Sequence, residues 1–381
     1  MKIGLTYDLR RDYLAQGYTL EQTAEFDSPE TIEAIEAGIH SMGLETERVG
    51  NLDEVMRALT AGRRWDLVFN IAEGLRGFSR EAQVPALLEA HGIGCTFSDP
   101  LLLGLCLHKA MTKRVLRDLK LPTPDFALVE SLADLESVNL AFPLFAKPVA
   151  EGTSKGVECS SLIHTREELF RTCADLLRRF DQPVLVERFL SGREFTVGIV
   201  GTGKRAKSLG VMEVLLLEGA DRLIYSQDNK EEYEERVRYR LVGGEEGISL
   251  SLLALEAWRG LGARDGGRVD IRLDEHGVAN ILEINPLPGL HPIRSDLSIL
   301  CGFQGIAHRD LIRMIMESAL ERLEVQKEAS GQVLGQVLGQ DPGQGIVSTV
   351  RLAPDSFHPR ELGDAPEVDM GEYDQPLVRV A

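Results

Sequence analysis

Two segments in the C-terminal half carry side chains suited to a metal ion. Arg268 and Asp270 alternate in RVDIRL, and Glu283 and Asn285 alternate in NILEIN. Because strand side chains alternate between faces, each pair shares a face, and a turn at 274–277 can pair the strands. Two carboxylates and a carboxamide suit Mg²⁺, and the arginine can hold an anion. The alternative is an exposed polar face with one salt bridge, but the intervening apolar residues favour burial, where charges need partners.

A second group of residues could bind phosphate. Lys147 lies in the apolar segment FPLFAKPV, and the small-residue loop EGTSKG follows at 151–156. Backbone N–H groups of such a loop can close over phosphate oxygens while the lysine offsets their charge. An ordinary surface lysine before a turn is the alternative.

The apolar segment LVERFL at 185–190 could line a flat heteroaromatic base. Its backbone would read the edge of the base, and a carboxylate, that of Glu187 or of the following Glu194, could accept hydrogen bonds from two vicinal hydroxyls. A plain strand with a solvated acid is the alternative for this segment.

The segment GIVGTGK at 198–204 matches the GxxxxGK pattern of a phosphate loop. Arg205 follows where that loop needs Ser or Thr for magnesium, and both flanks have the pattern of strands rather than of a strand and a helix. We therefore predict a hairpin turn here.

These residues need elements to position them. Predicted strands at 2–7, 44–49 and 65–70 alternate with helices that begin near Ser28 and at residue 51. This alternation favours a parallel sheet flanked by helices over the first hundred residues. Ser28 is the expected N-cap, with Pro29 at the first helical position. Further helices are predicted at 107–119, 165–180 and 307–324.

Composition limits the classes of function. The 381 residues carry 42 Lys+Arg against 60 Asp+Glu, a formal charge of −18, which disfavours binding to nucleic acid. No apolar run approaches a membrane span, and we expect no signal peptide. Five dispersed cysteines with no CxxC pair favour neither a zinc site nor a disulfide framework, and a reducing, cytoplasmic location is the expectation.

In combination, the motifs resemble the ATP-grasp superfamily, and most closely the D-alanine–D-alanine ligase family, over roughly residues 1–323. The motifs occur in the family's order: LHK at 107–109, AKP at 146–148, EGTSKG at 151–156, VERFL at 186–190, GREFTV at 192–197, GRVD at 267–270 and LEINPLPG at 282–289. The segment VFNIAEG at 68–74 also resembles the family's N-terminal substrate loop.

The resemblance implies roles for matching residues in binding ATP. The residues implied at the phosphates, or in the loop above them, are Lys109, Lys147, Gly152, Thr153, Ser154 and Gly156. Those implied at the adenosine are Glu187 at the adenine amino group, the backbone of Arg188 and Leu190 at the adenine edge, and Glu194 at the ribose.

The resemblance likewise implies the catalytic residues and the reaction. A carboxylate would attack the γ-phosphate to give an acyl phosphate, which an amine would then attack. The implied metal ligands for two Mg²⁺ (or Mn²⁺) ions are Asp270, Glu283 and Asn285. The implied catalytic residues are Lys230 at the γ-phosphate, Arg268 and the Gly289 N–H at the developing oxyanion, and Ser295 at the second substrate's carboxylate.

The sequence departs from the family pattern only around the amino-acid sites. Glu73 stands where the family usually has a histidine, Ser79-Arg80-Glu81 replaces its acidic stretch, and the segment 290–296 is one residue longer. The substrates thus stay open between D-alanine for peptidoglycan biosynthesis and another amino acid for a secondary metabolite. A nucleotide-binding protein without turnover is a third reading.

We predict an α/β, three-domain ATP-grasp architecture. The predicted divisions are an N-terminal α/β substrate domain at 1–106, a small central α+β domain at 107–191, a C-terminal α+β catalytic domain at 192–324 and a flexible tail at 325–381. The expected partners are small-molecule amino acids, with neither nucleic acid nor a membrane, and the resemblance leaves a homodimer open.

Overall fold

The computed structural model of the chain describes residues 1–216 and 237–338. The chain divides into two compact units, Met1–Val325 and Gln326–Ala381, and the first contains every sheet described below. The three internal domains predicted within the first unit stay a prediction.

The helices of the described residues are α1 (Arg10–Ala15), α2 (Pro29–His40), α3 (Leu52–Thr60), α4 (Gln83–Ala90), α5 (Pro100–Leu107), α6 (Lys109–Asp118), α7 (Arg166–Phe180), α8 (Gly244–Leu261), α9 (Asp296–Phe303) and α10 (His308–Leu338). The strands are β1 (Lys2–Thr6), β2 (Glu45–Gly50), β3 (Leu67–Asn70), β4 (Phe126–Val129), β5 (Leu144–Pro148), β6 (Leu162–Ile163), β7 (Val184–Arg188), β8 (Glu194–Val200), β9 (Lys207–Leu216), β10 (Val237–Val242), β11 (Gly266–Leu273) and β12 (Ala279–Asn285).

The N-terminal sheet is parallel, as the β-α-β-α-β alternation predicts. Its strand order is β2-β1-β3, and both neighbours run parallel to β1. Helix α2 begins at Pro29 as predicted, but the Ser28 side chain accepts no hydrogen bond from the helix backbone and lies 3.5 Å from the Thr31 hydroxyl instead. Ser28 therefore occupies the predicted N-cap position, but the prediction that its side chain caps the helix by a hydrogen bond was wrong.

Two antiparallel sheets follow along the chain. The central sheet has the order β4-β7-β5-β6, and the C-terminal sheet has the order β10-β9-β8-β11-β12. Strands β8 and β9 form the hairpin predicted across 198–204, with Gly201 and Gly203 at positive φ in its turn. The α/β architecture predicted from the sequence is confirmed.

The last helix extends beyond its predicted end at residue 324 and continues to Leu338. The predicted end is too early because Gly and Gln are frequent in GQVLGQVL and suggest a break in the helix. The valine and leucine residues of this segment nevertheless recur every four positions, which a helix accommodates. Residues 339–381 of the predicted tail lie outside the described residues.

The first turns of helix α10, which belong to the first compact unit, pack against α2. Ile312, Ile315 and Met316 are fully buried in one core cluster with Ile35 and Ile39 of α2. The two helices approach so closely at Gly38 that a Cβ there would lie 2.8 Å from Ile312. A side chain at this position would force the helices apart, which explains a glycine inside a helix despite its cost.

A buried polar network at Asp265 connects three parts of the first unit. Asp265 is fully buried and adopts a left-handed φ of 63°. Its carboxylate accepts hydrogen bonds from the Phe97 N–H (2.8 Å), Arg322 of α10 (2.7 Å) and the hydroxyls of Thr202 and Ser318 (3.1 and 2.9 Å). One side chain thus joins the N-terminal segment, the β8–β9 turn and α10.

Replacing Asp265 with Asn should destabilise the protein by about 2 kcal/mol. Asparagine tolerates the left-handed backbone and keeps the shape, but it leaves the Arg322 guanidinium without a carboxylate. Urea unfolding measures the loss, and Asp118→Asn on the exposed side of α6 is the matched control. A change below about 0.5 kcal/mol, the range of ordinary surface substitutions, would contradict the assigned role.

Candidate active site

A cleft of about 900 Å³ lies between the central and C-terminal sheets. The lining of this cleft includes eleven of the site residues predicted from the sequence, which are Lys109, Lys147, Gly152, Ser154, Glu187, Arg188, Leu190, Glu194, Arg268, Asp270 and Glu283. The structure therefore brings residues that are far apart in the sequence into one cavity.

Five other predicted residues lie outside the lining of this cleft. Thr153 and Gly156 belong to the loop over it, and Asn285 contacts the lining residue Asp270. Gly289 and Ser295 lie next to each other, since a Cβ on Gly289 would be 2.9 Å from the Ser295 hydroxyl. Lys230 falls outside the described residues.

The predicted strand pair β11–β12 has the register needed for a metal site. Asp270 lies opposite Glu283, and Arg268 lies opposite Asn285. The register shifts after Asp270, and this irregularity lets both Leu282 and Glu283 line the cleft although they are adjacent in the strand. Bulges of this kind often redirect a side chain next to an active site.

Cations offset the repulsion between these opposed carboxylates. Arg268 donates to Asp270 and lies 3.7 Å from Asp296, while Lys109 Nζ lies 3.5 Å from Glu283. Burial would lower the pKa of the Arg268 guanidinium, but the surrounding carboxylates raise it above its ordinary value. Arg268 is thus a permanent positive charge at the centre of the site.

The donor set fits a hard divalent cation. Among the residues that the structure describes, no three His, Cys, Asp or Glu side chains group as a metal site, and Asn285 is the carboxamide that lies beside Asp270. Its amide lies 3.1 Å from Asp270 Oδ2, and turning the amide by 180° presents oxygen on the same side. Two carboxylates and a carboxamide are typical ligands of Mg²⁺.

The loop at 152–156 is held in an unusual backbone conformation. Thr153 and Ser154 adopt positive φ values of 48° and 58°, which cost energy for residues other than glycine. The Gly152 N–H donates to Glu25 (2.5 Å), and a Cβ on Gly152 would lie 2.6 Å from that carboxylate. The N-terminal region therefore holds the loop in place, a contact that local sequence patterns did not reveal.

Charged residues at the end of the cleft where a base is predicted are paired with one another. Glu187 lies 2.9 Å from Lys147 and 3.0 Å from Lys113, and Glu194 lies 3.0 Å from Arg272. An apolar wall beside them is formed by Phe145, Pro148, Phe189 and Leu282. Lys155, a member of the predicted 152–156 loop, lines the cleft. The sequence did not predict Arg272 in the lining or Lys113 behind it, although the helical spacing of Lys113 from Lys109 was available as a signal.

Acidic residues from the first hundred residues of the chain collect beside the loop. Arg80 pairs with Glu25 (3.0 Å), and both side chains are 6% exposed. Burial raises the pKa of Glu81 to about 8 and that of Asp27 to about 7. Burial and the neighbouring carboxylates also raise the pKa of Glu73 well above its ordinary value.

Comparison with known proteins identifies the family. The sequence model described as "D-ala D-ala ligase C-terminus" matches residues 115–317. The chain is 30% identical over 277 residues to the uncharacterised protein y4sG of Sinorhizobium fredii, covering 71% of this chain and 80% of that protein. It is 30% identical over 248 residues to a D-alanine–D-alanine ligase of Ralstonia nicotianae, covering 64% of this chain and 72% of that one. The chain belongs to the D-alanine–D-alanine ligase-like family of ATP-grasp proteins.

The fold of this ATP-grasp ligase is shared by solved structures. D-alanine–D-alanine ligase from Bacillus anthracis, crystallised with ATP, superposes with a TM-score of 0.64 at 21% identity, covering 86% of this chain and 99% of that one. The family model and the curated relatives make this chain an ATP-dependent ligase, and enzymes of this class use ATP with a divalent metal. Within residues 1–216 and 237–338, no helix is both long and apolar enough to span a membrane.

Proposed function

We propose that this protein joins two amino acids by an ATP-dependent carboxylate–amine ligation through an acyl phosphate. The observation that carries the proposal is the cleft in which Asp270 and Glu283 face each other beside Arg268, Lys109 and Lys147. Two anions, a carboxylate and a triphosphate, have to approach each other in this reaction. Cationic side chains arranged around a metal-binding pair offset the repulsion between them.

The nucleotide half of the site follows from the placement of the cations and the apolar wall. Lys109 and Lys147 would hold phosphate oxygens, beneath the loop that contains Gly152, Thr153, Ser154 and Gly156. Phe145 and Phe189 would sandwich or flank the base. Glu187 would accept a hydrogen bond from the amino group of the base, and the backbone of Arg188 and Leu190 would contact the edge of the base.

Glu194, which is paired with Arg272, would accept hydrogen bonds from the ribose hydroxyls.

The reacting half of the site is formed by the C-terminal sheet and the segment after it. Asp270, Glu283 and Asn285 would hold two Mg²⁺ ions, which supply charge neutralisation for phosphoryl transfer when bound. Arg268 and the Gly289 N–H would stabilise the oxyanion that develops when the amine attacks. Ser295, whose hydroxyl accepts from the His291 N–H at 2.9 Å, would hold a substrate carboxylate, and Lys230 would reach the γ-phosphate.

The proposal is tested by measuring phosphate release from ATP with a panel of L- and D-amino acids, alone and in pairs. We expect release to require a compatible pair and to equal the amount of dipeptide found by mass spectrometry. Nucleotide binding without release for every pair would support a non-catalytic protein instead. Release with a pair that contains no D-alanine would favour a role outside peptidoglycan biosynthesis.

A further inference from the structure

Two lysines share one carboxylate at the base of the cleft. Lys147 Nζ lies 2.9 Å from Glu187 Oε1, and Lys113 Nζ lies 3.0 Å from Glu187 Oε2. Lys147 and Glu187 line the cleft, whereas Lys113 does not and its side chain is only 1% exposed. Lys113 thus contacts Glu187 from behind, on the side away from any ligand.

The position of Lys113 is fixed by the elements around it. It lies one turn after Lys109 in α6, and its ammonium donates to the Thr123 hydroxyl at 3.0 Å. That hydroxyl donates in turn to the carbonyl of Ile281 in β12 (2.8 Å). Among the described residues, Glu187 is the carboxylate in ion-pair contact with Lys113.

Two ammonium groups contact the single carboxylate of Glu187, while Glu283 acts on both lysines from farther away. Burial lowers the pKa of Lys113 and these carboxylates oppose that effect, because a buried charge is costly unless it is paired. Lys147 can turn toward an anion in the cleft, whereas Lys113 lies behind Glu187 and does not line the cleft. When Lys147 moves to a phosphate, Lys113 stays as the cation that contacts Glu187.

Electrostatics supports this division of roles. Burial alone would raise the pKa of Glu187, but Lys113 and Lys147 together lower it below its ordinary value. A buried carboxylate that lost both cations would take up a proton and would then donate a hydrogen bond instead of only accepting. An ionised carboxylate can only accept hydrogen bonds, so it binds a purine whose ring carries an amino group and disfavours one that carries a carbonyl at the same position.

We propose that Lys113 is a positioning residue that keeps Glu187 ionised as the acceptor for the base, so that Lys147 is released to the phosphates. The inference rests on the proposed nucleotide site and concerns selectivity between bases. It requires no ligation chemistry, so its test is separate from that of the proposed function.

The experiment measures binding of ATP and of inosine triphosphate, which has a carbonyl in place of the amino group, by calorimetry without amino acids. We expect Lys113→Met to weaken ATP about tenfold and to change inosine triphosphate binding much less, so that discrimination falls. Arg114→Met, which removes an exposed cation from the same helix, should leave both affinities unchanged.

A double-mutant cycle separates this role from simple packing. If Lys113 acts through Glu187, then Lys113→Met should have little further effect on ATP affinity in a Glu187→Gln background. Additive effects of the two substitutions, or equal weakening of both nucleotides by Lys113→Met, would overturn the proposal. If Lys113→Met does not fold, Lys113→Arg tests the same point, because retained discrimination is then expected. Loss of base selectivity by a folded Lys113→Arg variant would also contradict it.

Discussion

Replacing Glu283 with Gln should lower ligase turnover at least ~10³-fold while the fold stays intact. Glu283 faces Asp270 across the β11–β12 pair and lines the cleft, where it would hold the proposed divalent cations. Glutamine keeps the shape and one oxygen but removes the negative charge, which is the property a hard divalent cation needs. The side chain is 26% exposed and lines the cleft, so an isosteric glutamine should leave the packing of the core unchanged.

Turnover is measured as phosphate release at saturating ATP and at ordinary magnesium, with circular dichroism and thermal unfolding as checks on the fold. Glu245→Gln, at the exposed start of α8, is the matched control and should keep full activity. Near wild-type turnover by Glu283→Gln would mean that the metal ligands are wrongly assigned. Recovery of activity at high magnesium would instead indicate weakened metal binding at the expected position.

The parts of the site that the sequence predicts well are those encoded by local periodicity. Arg268, Asp270, Glu283 and Asn285 alternate along two strands joined by a short turn, and strand geometry alone places them on one face. Asp274 accepts from the N–H groups of His276 and Val278, which closes that turn and fixes the register. The amino-acid sequence alone is therefore enough to predict that Asp270 and Glu283 face each other across two paired strands.

The parts that the sequence does not reveal depend on contacts between distant segments. Lys113 is fully buried because other elements pack against α6, and its partner Glu187 belongs to β7, which follows much later in the chain. The contact between Glu25 and Gly152 joins segments 127 residues apart. No local pattern encodes such a pairing, and a lysine on an amphipathic helix is ordinarily interpreted as a solvated charge.

The end of the site where the amino acids are predicted to bind holds several buried carboxyl groups, which should have a large effect on substrate choice. The Arg80 guanidinium already donates hydrogen bonds to both carboxylate oxygens of Glu25 and to the Ala150 carbonyl. Glu73 lies where the carboxylates of Glu25, Asp27 and Glu81 act on it, and these raise its pKa together with burial. Burial and their neighbours keep Glu73, Glu81 and Asp27 protonated above the ordinary carboxyl pKa range, so negative charge beyond what Arg80 and Lys155 offset develops only as these groups ionise.

We expect a substrate whose side chain carries a cationic or hydrogen-bond-donating group to be preferred over D-alanine by ~10²-fold in kcat/KM at one subsite. The methyl group of D-alanine offers these carboxyl groups neither a charge nor a hydrogen-bond donor, whereas a cation pairs with them once they ionise. Because the pKa of Glu73 is raised, the preference should grow as the pH rises through that pKa and Glu73 becomes ionised. The measurement is a steady-state comparison of D-alanine with L- and D-amino acids, hydroxy acids and imino acceptors at several pH values.

The variant Glu73→His restores the residue type expected of the family at this position and isolates its contribution. It should reduce kcat/KM for the cationic substrate far more than for D-alanine, because it removes the carboxylate without touching the nucleotide cleft. Glu33→His, on the neighbouring helix α2, is the matched control and should leave the preference unchanged. The expectation would be contradicted if the wild type made D-alanyl-D-alanine efficiently and no substrate in the panel were better. That result would indicate that the acidic residues hold the loop through Arg80 rather than select the substrate.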